Sequence, residues 1–407
     1  MEMEIQRQRR HSGRCFNLGD LPLDIFHMVC DRLDEDDPPS VRILREAEVT
    51  SDKIRCESNP LKNLSCVSKM WRALVLPHLF KYTRLEVRWS TRQCAQYYVY
   101  HRAQSLLRFL EANDLKGEVG SLVIYCSHSP SSPPYESKGV YSGLSSSQFF
   151  ARSLWWHLFP ALNPPRITLV GPPVLLSDLA GVGPAMDVRQ YVIVPPAIEG
   201  KVFFVLCLEQ SDRGPLESDS SFGFDTAVGL LYAGRWTRLS LNEGTTWGPP
   251  KHRIYYQFAS PTSRSLLELL EFRMAISELR SVSYTSVYPL SRVAIALASF
   301  ANRCIRLETL EVRFTANGMK LDVAPEVANA GMSLDPLKFA REALSADVCS
   351  TLATRVPGRS PLTLICHDVQ EGGLLENLDE DLESSLVGWT RERQGVWVSG
   401  DPPGADD

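Results

Sequence analysis

The sequence holds ten cysteines among 407 residues but no Cys-x-x-Cys pair. They are spread from Cys15 to Cys366, and Cys30, Cys66, Cys207 and Cys349 sit inside apolar runs. This distribution argues against a zinc knuckle or a disulfide framework. It points instead to buried free thiols in a reducing compartment, cytoplasmic and/or nuclear. No run of about 18 apolar residues occurs, so no membrane-spanning helix and no membrane partner are expected. The opening "MEMEIQRQRRHSGRC" has no apolar core of the signal-peptide kind, so the sequon at Asn63 is expected to be unused. Positive charge is also short, with 43 Lys and Arg against 48 Asp and Glu for a net −5, and there is no long basic run. No nucleic-acid partner is expected from such a balance.

Catalytic signatures are missing as well. There is no GxSxG elbow, HExxH helix, GxxxxGK[ST] loop or GxGxxG turn, and "GVGPAM" at Gly181 has two glycines only and follows no clear strand. The eight histidines are scattered. Cys126/His128 and Cys366/His367 are close Cys–His neighbours, but neither has a second pair at zinc-ligand spacing. No catalytic residue, metal site or cofactor is therefore assigned and the chain is read as non-enzymatic, with a site assembled from distant residues left as an alternative.

What is present is the composition of a globular chain, 44% apolar and 22% charged. The length suits two or three ordinary domains or one long array. Residues 1–17 read as a flexible tail and 18–80 as a helical region interrupted by a charged insert at 34–59. Short strands alternating with helices fill 81–370, with a Ser/Pro/Gly-rich loop at 127–148, and an acidic helix and tail occupy 371–407. Within the strand region a pattern of apolar-x-x-apolar-x-apolar recurs. It appears as "YTRLEV" at Tyr82, "VGSLVI" at Val119, "WTRLSL" at Trp236, "LRSVSY" at Leu279 and "LETLEV" at Leu307, with a weaker copy, "PPRITL", around Ile167. Each copy predicts a strand whose last two apolar residues, at period two, face one side. "SQFFARSLWWHLFPAL", "SRSLLELLEFRMAISELR" and "SRVAIALASFANRC" predict helices between them. The fold class is thus α/β, either an irregular repeat array or a generic layered domain. Near the C-terminus, Asp335–Arg355 predicts a helix and "SPLTLIC" a strand. Leu375, Leu378, Leu382 and Leu386 fall at spacings of three or four, which predicts a solvated amphipathic helix.

The N-terminal helices carry the most specific signal. In "LGDLPLDIFHMVCDRL" (18–33), Asp20 can cap a helix and Pro22 suits its first turn, while Ile25, Val29, Arg32 and Leu33 continue a stripe. "LKNLSCVSKMWRALVLPHLF" (61–80) predicts one helix, ended by Pro77, with Leu61, Leu64, Val67, Trp71, Leu74 and Val75 on one face. Helices this short cannot bury all of that apolar surface against each other, so a neighbour must cover some of it.

The order Leu21-Pro22-x-Asp24-Ile25, Val29, Leu33, then Leu61, Leu64, Val67-Ser68-Lys69-x-Trp71-Arg72-x-Leu74-Val75, resembles an F-box. "VSKMWRALVLPHLF" running into "YTRLEV" is similar to the version common in fungal F-box proteins. The resemblance implies an N-terminal all-α F-box followed by an irregular leucine-rich-repeat-like array. It further implies a substrate-recognition subunit of an SCF-type (Skp–cullin–F-box) ubiquitin ligase, which docks on a Skp-family adaptor, is joined through it to a cullin, and captures an unknown protein substrate with its C-terminal domain. Carried over by position, Leu21, Pro22, Ile25, Val29, Leu33, Leu64, Val67, Trp71 and Leu74 match the adaptor-binding residues, with Trp71 as the largest anchor. The insert at 34–59 departs from the family's shorter joint. Alternatives are an F-box scaffold that binds the adaptor alone and a helical cap on an unrecognised enzyme.

Overall fold

The computed structural model describes residues 22–33, 44, 60–89, 94–128, 146–171, 176, 179–180, 204–211, 230–245, 278–287, 291–315, 336–355, 359–371, 373 and 375–400. Leu21, Asp20, the expected tail at 1–17, residues 401–407 of the tail expected over 399–407, most of the loop at 127–148 and most of the helix expected at 263–280 lie outside them, whereas Ser399 of that C-terminal tail ends a strand. Of the insert at 34–59, Leu44 alone is described. The chain divides into two compact units. One holds residues 22–33 and 60–79, and the other holds residue 44 and the chain from residue 80 onward.

The first unit contains α1 (Leu23–Leu33), α2 (Pro60–Ser65) and most of α3 (Lys69–Lys81). Pro22 precedes α1, where an N–H would have no intrahelical acceptor, so its missing donor costs nothing, and its carbonyl accepts the Phe26 N–H at 3.1 Å. The single helix expected over 61–80 is divided at 66–68. Ser68 is the reason: its Oγ accepts the Trp71 N–H at 3.2 Å and its carbonyl accepts the Arg72 N–H at 2.9 Å, an N-cap that starts a new helix. Pro77 does not end α3 as the sequence suggested. It removes one donor within a helix already anchored by buried Val75, and the helix runs on to Lys81. Phe26, Cys30, Leu61, Trp71 and Val75 form the core, with Leu64, Leu74 and Leu79 packed against it. The Phe26 and Trp71 rings lie 4.4 Å apart, centre to centre.

The second unit is built on a mixed ten-stranded sheet in the order β1-β2-β3-β4-β5-β6-β7-β8-β10-β9. The strands are β1 Tyr82–Trp89, β2 Ser121–His128, β3 Arg166–Gly171, β4 Phe204–Glu209, β5 Arg238–Thr245, β6 Ser281–Val287, β7 Thr309–Arg313, β8 Thr363–Cys366, β9 Trp389–Arg393 and β10 Val396–Ser399. Each copy of the six-residue pattern lies on one of β1, β2, β3, β5, β6 and β7. Neighbours are parallel except around β4 and in the terminal β8-β10-β9 stretch.

Paired residues share a face of the pleat, so the register assembles buried rows across the sheet. One row is Leu85, Ile124, Leu169, Leu206, Leu241, Tyr284, Val312 and Cys366. The next is Thr83, Leu122, Ile167, Leu208, Leu239, Val282, Leu310, Leu364 and Trp397.

Helices accompany the strands. α4 (Cys94–Ala112), which the sequence pattern did not reveal, packs on β1 and on α5 (Ser146–Leu162). α6 (Ser291–Arg303) packs on the helix expected at 335–355. That helix runs as α7 (Pro336–Glu342), a π-helical segment (Ala343–Cys349) and a last turn (Ser350–Leu352). Leu375, Leu378, Leu382 and Leu386 are all buried, so the short acidic helix α8 (Asp379–Ser385) is docked by its leucine side. The chain beyond residue 370 therefore does more than trail off: β10 joins β8, and β9 forms the sheet's end. Gly395 makes the hairpin turn with φ +71°, where an added Cβ would meet the Cys366 carbonyl oxygen at 2.8 Å. Among the described residues no helix is long and apolar enough to cross a membrane.

Glu243 continues the inward side of β5 and is almost completely buried. Tyr284 donates its hydroxyl to Glu243 Oε2 at 2.6 Å, while Oε1 has no hydrogen-bond partner among the described residues. Burial outweighs that hydrogen bond and pushes the Glu243 carboxyl up from 4.5 to about 8. A carboxyl that binds its proton more tightly when folded lends stability that is complete below pH 4.5 and lost as the pH rises through about 8. Glu243→Gln is therefore expected to match the parent near pH 4 and to exceed it progressively up to pH 8, by about 1 kcal/mol for each pH unit crossed. Urea unfolding at several pH values measures this.

Candidate functional site

Two surfaces offer themselves for recognition. The first is apolar and belongs to α1. Phe26 and Cys30, one turn apart, are the buried residues of that helix. The strip they form is narrow, and Leu23, Ile25, Met28, Val29 and Leu33 are left exposed, Met28 at 62% and Ile25 at 41%. Val67, in the turn between α2 and α3, is 68% exposed, and Met70 is also open. Surface of this kind is an interaction signal when it exceeds scattered single residues.

The expected adaptor-binding residues thus fall into two groups. Pro22, Ile25, Val29, Leu33 and Val67 are exposed. Leu64 and Leu74 are half-buried against the core, and Trp71, at 7% exposure, lies inside it against Phe26. Trp71, expected as the largest anchor of the adaptor contact, is thus placed in the core of the unit. The Ser68 cap turns α3 so that the indole fills the space between the helices, and truncating it removes core rather than contact surface. Leu21 lies outside the described residues. Leu23, Met28 and Met70 were missed because each stands off the motif positions, although their apolar character was there to read.

The second surface is the outward side of the sheet. Here the register sets Arg166 on β3 opposite Glu209 on β4, and Glu209 opposite Arg238 on β5. Arg166 Nε donates to Glu209 Oε1 at 2.8 Å. Arg238 reaches across β6, which offers only the small Ser281 and Ser283 there, and its Nη2 donates to Glu311 Oε1 on β7 at 3.2 Å. His367 Nε2 lies 3.5 Å from the other oxygen of Glu311. Partly exposed pairs like these add about 0–1 kcal/mol each, so the row shapes a polar groove more than it stabilises the sheet. Further along the same side, Tyr125, Val170 and Val205 are buried, and Leu44 packs on them together with Val123. Leu44 also borders the groove.

Among the described residues, no group of three or more His, Cys, Asp or Glu is arranged to hold a metal ion. The buried thiols are quiet. Burial pushes Cys126, Cys207 and Cys349 up to about 12, far from the thiolate needed for reaction. Cys66, expected to be buried, is exposed in the turn that Ser68 creates. Comparison with known protein families, with curated proteins and with solved structures found no match for this chain.

The division of the motif residues has a measurable consequence. Trp71→Ala is expected to destabilise the first unit by about 3–5 kcal/mol, as a large core deletion does. Ile25→Ala and Val67→Ala are expected to stay within about 1 kcal/mol. Urea unfolding followed by circular dichroism compares the three.

Proposed function

We propose that this protein is a substrate-recognition subunit of an SCF-type ubiquitin ligase. In this reading the first unit is an F-box that docks on a Skp-family adaptor, and the adaptor joins it to a cullin. The second unit is an irregular leucine-rich-repeat-like array that receives the protein to be modified. The observation that carries the proposal is the exposed apolar residues of α1 and of the turn before α3, at the positions where the Leu-Pro and Val-Ser-Lys-x-Trp-Arg patterns resemble an F-box. Pro22, Ile25, Val29, Leu33 and Val67 would make the contact. Leu64, Trp71 and Leu74 would support it from beneath.

The sequential strand order and the repeated apolar pair on each strand support the array reading, with antiparallel β4 as its main irregularity. Buried cysteines that form no disulfide among the described residues are in keeping with a cytoplasmic or nuclear setting. The chain would contribute no bond chemistry of its own. Its part would be to raise the effective concentration of a substrate lysine near a charged ubiquitin-conjugating enzyme.

The test is binding of the full chain to a purified Skp-family adaptor, with and without cullin. The parent protein is expected to bind, and the doubly substituted Ile25→Asp/Val67→Asp protein to bind at least about tenfold more weakly while keeping its circular dichroism spectrum. Equal binding of the two proteins, or no binding by the parent, overturns the proposal. Adaptor binding that never recruits cullin reassigns the chain to a scaffold outside the ligase.

A further inference from the structure

On the surface of the first unit, His27 of α1 and His78 of α3 meet with their ring nitrogens 3.2 Å apart, His27 Nδ1 to His78 Nε2. The ring centres are 5.5 Å apart and the planes are inclined by 41°. In the neutral pair one of these nitrogens carries the shared proton and the other turns a lone pair toward it. Asp31 stands one turn after His27 on α1, and its Oδ1 lies 3.6 Å from the far nitrogen of His78, Nδ1. A carboxylate there favours the tautomer with the proton on Nδ1, which leaves the Nε2 lone pair directed at His27.

We propose that His27 and His78 form a binding site for a divalent transition-metal ion of the zinc class, which clips α1 to α3. The ion would displace the shared proton and sit to one side of the line between the two nitrogens. Two zinc–nitrogen bonds of about 2.0–2.1 Å spanning 3.2 Å close at roughly 100° at the metal, within the range of tetrahedral sites. The separation of the nitrogens therefore already suits a shared ion, which the two rings would meet by turning their lone pairs toward one side of the line between them. Asp31 is a positioning residue, in the role that carboxylates commonly play behind metal-bound histidines. The protein supplies two donors and water completes the coordination, so this is an open, exchangeable site rather than a closed structural one. His27 and His78 come from separate helices, so the site is complete only when the unit is folded, and the metal stabilises that state. The inference is independent of the ligase reading, because it needs no adaptor.

The test is zinc titration of the full chain by calorimetry, paired with thermal unfolding with and without zinc. One zinc per chain is expected at this site, with a rise in melting temperature that chelator reverses. His27→Gln and His78→Gln are each expected to abolish both effects, and Asp31→Asn to weaken binding by about tenfold. His27 is exposed and His78 half-buried, and glutamine keeps a polar group at each position, so a circular dichroism spectrum matching the parent's is expected of both variants. A Cys66→Ser protein is expected to bind like the parent, which excludes the exposed thiol as the ligand. Unchanged zinc stoichiometry and melting temperature in either histidine variant, or no binding by the parent at millimolar zinc, overturns the proposal.

Discussion

The second unit depends on one alignment: the apolar residues of each strand must fall at the same height as those of its neighbours. Leu85, Ile124, Leu169, Leu206, Leu241, Tyr284, Val312 and Cys366 lie side by side because every register brings them together, whether the neighbours run parallel or antiparallel. A slip of one residue at any of these interfaces would carry that strand's apolar set to the polar side. The constraint acts on register, not on spacing along the chain. Connections between strands can therefore differ widely in length while the rows stay continuous.

This explains what was legible in advance. The six-residue pattern found β1, β2, β3, β5, β6 and β7 because each places its last two apolar residues inward at period two, with a polar outward residue between them in all but β2, where Val123 stands. It missed β4, where "FVLCLE" is apolar on nearly every position. Val205 and Cys207 are buried on the outward side while Leu206 and Leu208 are buried inward, so no alternation remains to be seen. It missed the four-residue β10 for a similar reason, Val396 and Trp397 being buried at successive positions, and β9 for the opposite one. β9 is an edge strand of Trp389, Thr390, Arg391, Glu392 and Arg393, mostly exposed, and charges of this kind are how sheets discourage further pairing. The C-terminal leucines were read correctly as one stripe. Their docking was not, because a stripe does not say whether another surface waits for it.

The same ambiguity governs the first unit. Helical spacing places Ile25, Val29 and Leu33 on one line and Phe26 and Cys30 on the next, and both lines are apolar. The interior can receive only one of them, and the indole of Trp71 selects Phe26. The Ser68 cap is the local cause, since a continuous helix through 66–68 would have carried Trp71 on the same face as Val67. Instead Val67 is among the most exposed apolar residues described and Trp71 is internal. A motif matched by residue type thus mixes residues that build a surface with residues that hold it up, and only the fold separates them.

Leu44 shows how far position in the sequence can mislead. It lies in an insert between the helices of the first unit and begins downstream of the solvated acidic turn "DEDDPPS". Yet it packs on Tyr125, Val170 and Val205, on the outward side of the second unit's sheet. These residues, together with Cys207 and Asn242, are buried on the outward side of the sheet. What stays open there is the polar row from Arg166 through Glu209, Arg238 and Glu311 to His367. Among the described residues, that row offers charge and hydrogen-bonding groups, whereas α1 offers the apolar side chains of Leu23, Ile25, Met28, Val29 and Leu33.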